Sequence, residues 1–166
     1  MTKQKIKYRI IKKIDKSILP ILEELWWQGV VYINELLNFK YQLTRKKDVR
    51  TKFFHQMITN NSNNFVVIAA FLSNRVVGFI SGEIRNGYGC PILESGKIAC
   101  PNFMVVEEHH RGRGIGKKLL TLFEDWAKEH EAQAVSFYTF KNNKTALGLF
   151  KDMGYLEVSC EVYKPL

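Results

Sequence analysis

Apolar and polar positions change period several times along the chain, and each change predicts an element. Ile6, Tyr8 and Ile10 alternate with polar neighbours, the period-two signature of a strand. Asp15 or Ser17 can then cap a helix that places Ile18, Ile21, Leu22 and Leu25 on one face. Trp26 and Trp27 stand at the end of that pattern. Adjacent residues on a helix face different sides, so one of the two is free to line a pocket or an interface. A second helical region covers part of 43–58, and the run NNSNN at 60–64 makes a turn.

Two apolar runs follow, 65–71 and 76–84, separated by Ser73-Asn74-Arg75, which predicts a hairpin. Residues 85–96, with Gly87, Gly89, Pro91 and Gly96, read as a long irregular connection of the kind that often carries function. A further strand covers 97–106. Ile115, Leu119, Leu122, Phe123 and Trp126 then recur at three- and four-residue intervals, as an amphipathic helix requires. A strand at 134–140, a short helix at 143–153 and a last strand at 155–163 complete the pattern. The predicted order is β-α-α-β-β-β-α-β-α-β, an α/β or α+β fold on a mixed sheet. At 166 residues, 1–166 is read as one domain.

Composition narrows the function classes. A hydrophobic content of 46% is ordinary for a globular protein, and no apolar run is long enough to span a membrane. The start, MTKQKIKYRIIKK, is basic but lacks the apolar segment of a signal peptide, so a cytoplasmic protein is expected. Cys90, Cys100 and Cys160 are odd in number and widely spaced, which suits a reducing compartment. His55, His109, His110 and His130 fall into no metal-ligand spacing, so no metal is expected. The net charge of +9 gathers near the N-terminus and in Arg45, Lys46, Lys47, Arg50 and Lys52. Such clusters can attract nucleic acid or polyanions. They are more often solvated faces, and no stacking aromatics interleave with them, so a nucleic-acid partner is disfavoured.

The chemistry is carried by HRGRGIGKK, residues 110–118, set between the strand ending at Val106 and the helix starting near Ile115. A helix N-terminus offers unpaired amides and a positive dipole end, and glycines let phosphate oxygens approach the backbone. Arg111, Arg113 and Lys117 add charge. The physics predicts a pyrophosphate cradle. Two familiar phosphate loops do not fit. A P-loop would need its first glycine one position earlier and Ser or Thr in place of Lys118, and Gly112, Gly114 and Gly116 give GxGxG, not GxGxxG.

Arg111, Gly114 and Gly116 do fit [RQ]xxGx[GA], and the chain from Asn143 through Ala146, Leu149 and Phe150 to Gly154-Tyr155 is similar to NxxAxxLYxxxGF. In this order the two stretches resemble the GNAT superfamily of acyl-CoA N-acyltransferases. The resemblance covers nearly the whole chain and is weakest over 26–64. It implies a mainly antiparallel central sheet flanked by helices, whose fourth and fifth strands splay apart around the pantetheine arm. It implies acetyl transfer from acetyl-CoA to the amine of a small molecule or peptide by direct attack in a ternary complex.

Position by position, the resemblance assigns the pyrophosphate to the backbone of Arg111, Gly112, Arg113, Gly114, Ile115, Gly116 and Lys117. It assigns the pantetheine to the backbone of Met104, Val105 and Val106, with Asn143 near the arm. Phe150 stands where many members carry the tyrosine that protonates the thiolate, and phenylalanine has no proton to give. Where a side-chain base would stand in the fourth strand, this chain has Cys100 and Asn102. Glu83 on the neighbouring strand is the best remaining carboxylate, so water-mediated deprotonation near Glu83 and Asn102 is expected. Glu107 and Glu108 close the strand, Tyr138 and Tyr155 are phenols without positional support, and His109 and His110 are expected at the surface. Two rivals are carried: an acyl-CoA-binding module without catalysis and, more remotely, a basic nucleic-acid binder. Trp26, Trp27, Tyr32 and Tyr88 favour an aromatic-lined acceptor pocket. Members commonly dimerise, which leaves a homodimer open.

Overall fold

The computed structural model describes residues 5–12, 14–37, 41–59, 62–87 and 96–159. Its elements run β1 (Ile6–Ile10), α1 (Leu19–Leu36), α2 (Lys47–Ile58), β2 (Phe65–Leu72), β3 (Arg75–Asn86), β4 (Lys97–Val106), α3 (Ile115–Glu129), β5 (Ala134–Val135) and α4 (Lys144–Asp152). The sheet order is β1-β2-β3-β4-β5. The first three pairings are antiparallel and only β4–β5 is parallel, with α3 as the crossover between them.

Neither candidate caps α1: its N-cap is Ile18, with no side-chain cap bond, and Asp15 instead closes the turn just before the helix. Asp15 Oδ1 accepts from the amides of Ser17 at 2.8 Å and Ile18 at 3.2 Å. Leu22, Leu25 and Trp26 form the buried face, while Ile21, expected on that face, is 40% exposed. The helix crosses β4 closely at Gly29, where an added Cβ would lie 3.2 Å from Val105 Cγ2.

Alternation in β2 and β3 sorts side chains to two cores, one on each face of the sheet. Val66, Ile68, Val77, Ile80 and Ile84 meet Leu119, Leu120 and Phe123 of α3. On the other face Val67, Ala69, Val76 and Phe79 meet Leu22, Trp26 and Phe54 of α1 and α2. Burying both faces explains why these strands are nearly continuous apolar runs. The β2–β3 hairpin turns through Ser73 and Asn74, with Ser73 at φ +56°.

Three expected elements change. The connection 85–96 is shorter at its first end, since β3 runs to Asn86, while β4 starts at Lys97 as expected and Gly87 N–H donates to Gly96 O at 3.1 Å. The strand at 134–140 shrinks to Ala134–Val135, because beyond the Ser136 N–H bond to Ala99 O (2.9 Å) the chain leaves β4. Tyr155 to Ser159 form no strand, and the remainder of the expected strand 155–163 lies outside the described residues. Tyr88, Cys90 and Cys160 also lie outside them.

Candidate functional site

The three glycines of 110–118 do different things. Gly112 (φ +72°) and Gly114 (φ +76°) both take the left-handed conformation, and a Cβ on either would meet nothing within 4 Å. Glycine is used there for its backbone. Gly116 lies inside α3, where a Cβ would meet Leu149 Cδ2 of α4 at 3.7 Å and Val106 Cγ2 at 3.9 Å. Gly114 is the N-cap of α3, and the first helical bond runs from Lys118 N–H to Gly114 O at 3.0 Å. The amides of Ile115, Gly116 and Lys117 precede it and have no partner within the helix. Ile115 is 2% exposed and pins this end of the helix, while Arg113, Lys117 and Lys118 stand in solvent.

Arg111 is held inward. Its Nε donates to Val106 O at 3.0 Å, and its guanidinium carbon sits 4.5 Å from the ring centre of Tyr32 on α1. The loop is therefore tied to the end of β4 and to α1 at once. Just upstream, Glu107 bonds Arg75 and lies 2.9 Å from His110 Nδ1 through its other carboxylate oxygen. Both side chains of that second pair are 14% exposed. His110 is thus part of the loop's anchor and not a surface residue, while His109 is exposed. Residues 108–110 form one 3-10 turn between the anchor and the glycines.

The β4 strand carries a bulge. Ser81 pairs with Phe103 and Gly82 with Pro101, so Asn102 has no register partner on β3. Proline inside a strand is tolerated at such a place. Gly82 opposite the bulge has no room for a side chain: a Cβ would lie 2.6 Å from Cys100 O and 2.8 Å from Phe123 Cε2. The bulge also resets which face side chains take. Ala99 packs on the α3 side, whereas Phe103 and Val105 pack on the α1 side. Met104 and Val106 return to the α3 side. The β4–β5 register holds only Ile98↔Ala134 and Ala99↔Val135, yet β4 continues to Val106. Past Ala99 the two strands separate, and this gap opens toward the glycine loop.

Asn143 is 9% exposed and caps α4, its Oδ1 accepting from Ala146 N–H at 3.3 Å. Phe150 is buried among Phe137 (ring centres 4.9 Å apart) and Tyr155 (5.5 Å). Tyr155 donates its hydroxyl to Glu124 Oε1 at 2.8 Å, and burial first, then this bond, push the phenol well above its ordinary range. Glu83 accepts from Arg85 Nε at 2.9 Å and Nη2 at 2.7 Å through one oxygen. Across the register stands Cys100, a free thiol pushed up chiefly by burial, with Arg85 opposing and Glu83 adding to the shift. Burial thus holds Cys100 toward its protonated thiol.

On the other wall Trp26 lies with its ring centre 5.9 Å from Phe103, next to the bulge, and 6.0 Å from Trp27. A shallow concavity of about 680 Å³ over Lys47, Thr51, Lys52 and His55 on α2 includes no residue of β4 or the glycine loop. Among the described residues no group of three His, Cys, Asp or Glu is placed to hold a metal, and no helix is long and apolar enough to cross a membrane. Sequence reasoning did not find the Arg111–Tyr32 contact, because the two residues lie far apart in the chain. The bulge did leave a signal, Pro101 within an apolar strand run.

Comparison with known proteins adds an independent line. Residues 30–155 match the family model described as "Acetyltransferase (GNAT) family". The uncharacterized N-acetyltransferase YobR of Bacillus subtilis is 31% identical over 61 residues, 37% of this chain and 25% of that protein. The uncharacterized N-acetyltransferase MJ1207 of Methanocaldococcus jannaschii is 25% identical over 155 residues, 92% of this chain and 62% of that protein. The chain thus spans a quarter of the first relative and under two thirds of the second. Among solved structures, aminoglycoside N-acetyltransferase AAC(6')-Iy in complex with CoA superposes with a TM-score of 0.71 at 15% identity, over 98% of this chain and 95% of that one. A predicted acetyltransferase from Clostridium acetobutylicum with acetyl-CoA gives 0.71 at 16%, over 97% and 96%. At these identities the superpositions speak for the fold.

Proposed function

The chain belongs to the GNAT family of acetyltransferases, and we propose that it transfers an acetyl group from acetyl-CoA to an amine by direct attack. The observation that carries this reading is the alignment of two features: unpartnered amides at the start of α3, and the gap between β4 and β5 that leads to them. Acetyl-CoA supplies an activated thioester on a long, polyanionic handle. The residues fit such a handle. Gly112 and Gly114 leave open space above the backbone, and the helix dipole and the exposed Arg113 and Lys117 favour phosphate. Along β4, Met104, Val105 and Val106 offer the backbone edge that β5 does not cover. Asn143 stiffens the start of α4, and Phe150 packs beneath the gap.

The proton chemistry is sparser. An alkyl amine has a pKa of about 10, so roughly one molecule in a thousand is neutral at pH 7. In this reading Glu83, paired in register with Cys100 beside the bulge, draws that proton through water, and Asn102 positions the water or amine. The leaving thiolate takes its proton from solvent in this reading, since Phe150 has none and Tyr155 is held by Glu124. A cytoplasmic site of action fits the cysteine pattern.

The direct test incubates the protein with acetyl-CoA and a panel of amines, reading thiol release and product mass. Acetylated product supports transfer. The tied-up Tyr155 favours one alternative, a module that binds acyl-CoA without turnover. Tight acetyl-CoA binding with no product from any amine would select it.

A further inference from the structure

Resting on the transfer reading above, we propose that the acceptor is an amine that also carries an oxyanion, and that Arg50 receives that oxyanion. Arg50 projects from α2 with its guanidinium carbon 4.2 Å from the ring centre of Trp27 on α1. Its Nε is buried and has no hydrogen-bond partner among the described residues, and it makes no ion pair there. A buried charged donor without an acceptor is costly, and stacking on an indole does not replace the missing bond. The indole Nε1 of Trp26 beside it is buried without a partner as well.

The carboxylates within reach of this corner are engaged elsewhere. Glu23 accepts from Thr51 Oγ1 at 2.6 Å and lies 3.9 Å from His55, and Glu24 accepts from Gln28 at 3.2 Å. Arg45, Lys46, Lys47 and Lys52 surround Arg50 in sequence, opposed only by Asp48. The corner therefore carries a net positive field with one preorganised fork of donors, the geometry that suits carboxylate or phosphate. A chain of ring contacts ties it to β4: Trp26 bridges Trp27 to Phe103, the residue following the bulge at Asn102. An acceptor seated with its anion on Arg50 would lie against the half-buried Trp27, with buried Trp26 behind it and Phe103 of β4 beyond. A polycation would meet repulsion here, which sets this corner against the aminoglycoside chemistry of the structural neighbour AAC(6')-Iy.

The test uses matched acceptors: amino acids against their carboxamides, O-phosphoethanolamine against ethanolamine, and spermidine. The expected result is a preference of about ten- to hundredfold in kcat/KM for the anionic member of a pair, the factor one charged hydrogen bond supplies. Which pair shows it separates carboxylate from phosphate. Arg50→Gln should collapse that ratio toward one through KM, and Arg50→Lys should keep part of it, with acetyl-CoA affinity unchanged in both. Equal use of both members, or a preference for spermidine, would overturn the inference while leaving acetyl transfer intact. If no amine turns over, transfer itself fails. Tryptophan fluorescence then still decides, because anion-selective quenching lost in Arg50→Gln supports the corner and its absence refutes it.

Discussion

Arg111 stacks on Tyr32 at 4.5 Å while its Nε holds Val106 O at 3.0 Å. The arginine of the glycine loop thus joins three elements, β4, the loop and α1, and leaves phosphate attraction to Arg113 and Lys117. Removing the ring should let the loop drift without removing any group that faces solvent. Tyr32→Leu is expected to raise KM for acetyl-CoA about three- to tenfold, the scale of one cation–π contact, whereas Tyr32→Phe should behave as wild type. Steady-state kinetics at saturating acceptor measures it.

Two glycines make opposite predictions about where a methyl group hurts. At Gly114 the space is open and only the positive φ resists, so Gly114→Ala should cost about 1 kcal/mol of stability. At Gly82 the backbone is ordinary but Cys100 O, Pro101 Cα and Phe123 crowd within 2.8 Å. Gly82→Ala forces the bulge or α3 to move and should cost about 3 kcal/mol or more. Urea unfolding midpoints distinguish the two.

The Tyr155–Glu124 bond ties α4's end to α3 and gives stability an alkaline limit. The folded phenol titrates above its unfolded value near 10, so the protonated form is favoured by folding. That contribution is full below pH 10 and fades as pH climbs above it. Denaturation between pH 8 and about 11 should show a falling stability that is shallower in Tyr155→Phe. Retained turnover in that variant would agree with a phenol that donates to Glu124 and not to the leaving thiolate.

Local periodicity made most of the fold legible. The strand–glycine loop–helix unit, the amphipathic α3 and the hairpin through Ser73 and Asn74 all depend on spacing within a few residues. What escaped depends on contacts between distant segments. The predicted strand over 134–140 has the right composition, but a strand exists only while a partner runs beside it, and β4 diverges after Ala99. Ile21 fits a helical face equally well on sequence and lies outside it because α1 presents Leu22, Leu25 and Trp26 to the sheet. His110 is drawn inward by Glu107, whose other oxygen takes Arg75 from β3, a pairing no window of the sequence contains. In the candidate site, backbone-dictated positions were readable from glycine spacing, while side-chain partners such as Arg85 on Glu83 were not.

Glu83 is where the proposed chemistry is most exposed to failure. Its carboxylate is half-buried, grips Arg85 through Oε1, and stands across the ladder from Cys100, two positions before the bulge residue Asn102. With one oxygen held by Arg85, only the other carboxylate oxygen is left to take a water. Glu83→Gln preserves shape and should lower kcat/KM about tenfold to a hundredfold, the low end for general-base assistance, and flatten the acidic limb of the pH profile. KM for acetyl-CoA should not change, because neither Gly112 nor Gly114 touches this corner. Arg85→Met releases the carboxylate oxygen that Arg85 holds in place and should lower kcat/KM as well, again with KM for acetyl-CoA unchanged. A pH–rate series on both variants with one acceptor checks the pair together. An unaltered profile in Glu83→Gln would remove Glu83 from the proton path and leave the amine to lose its proton to bulk water.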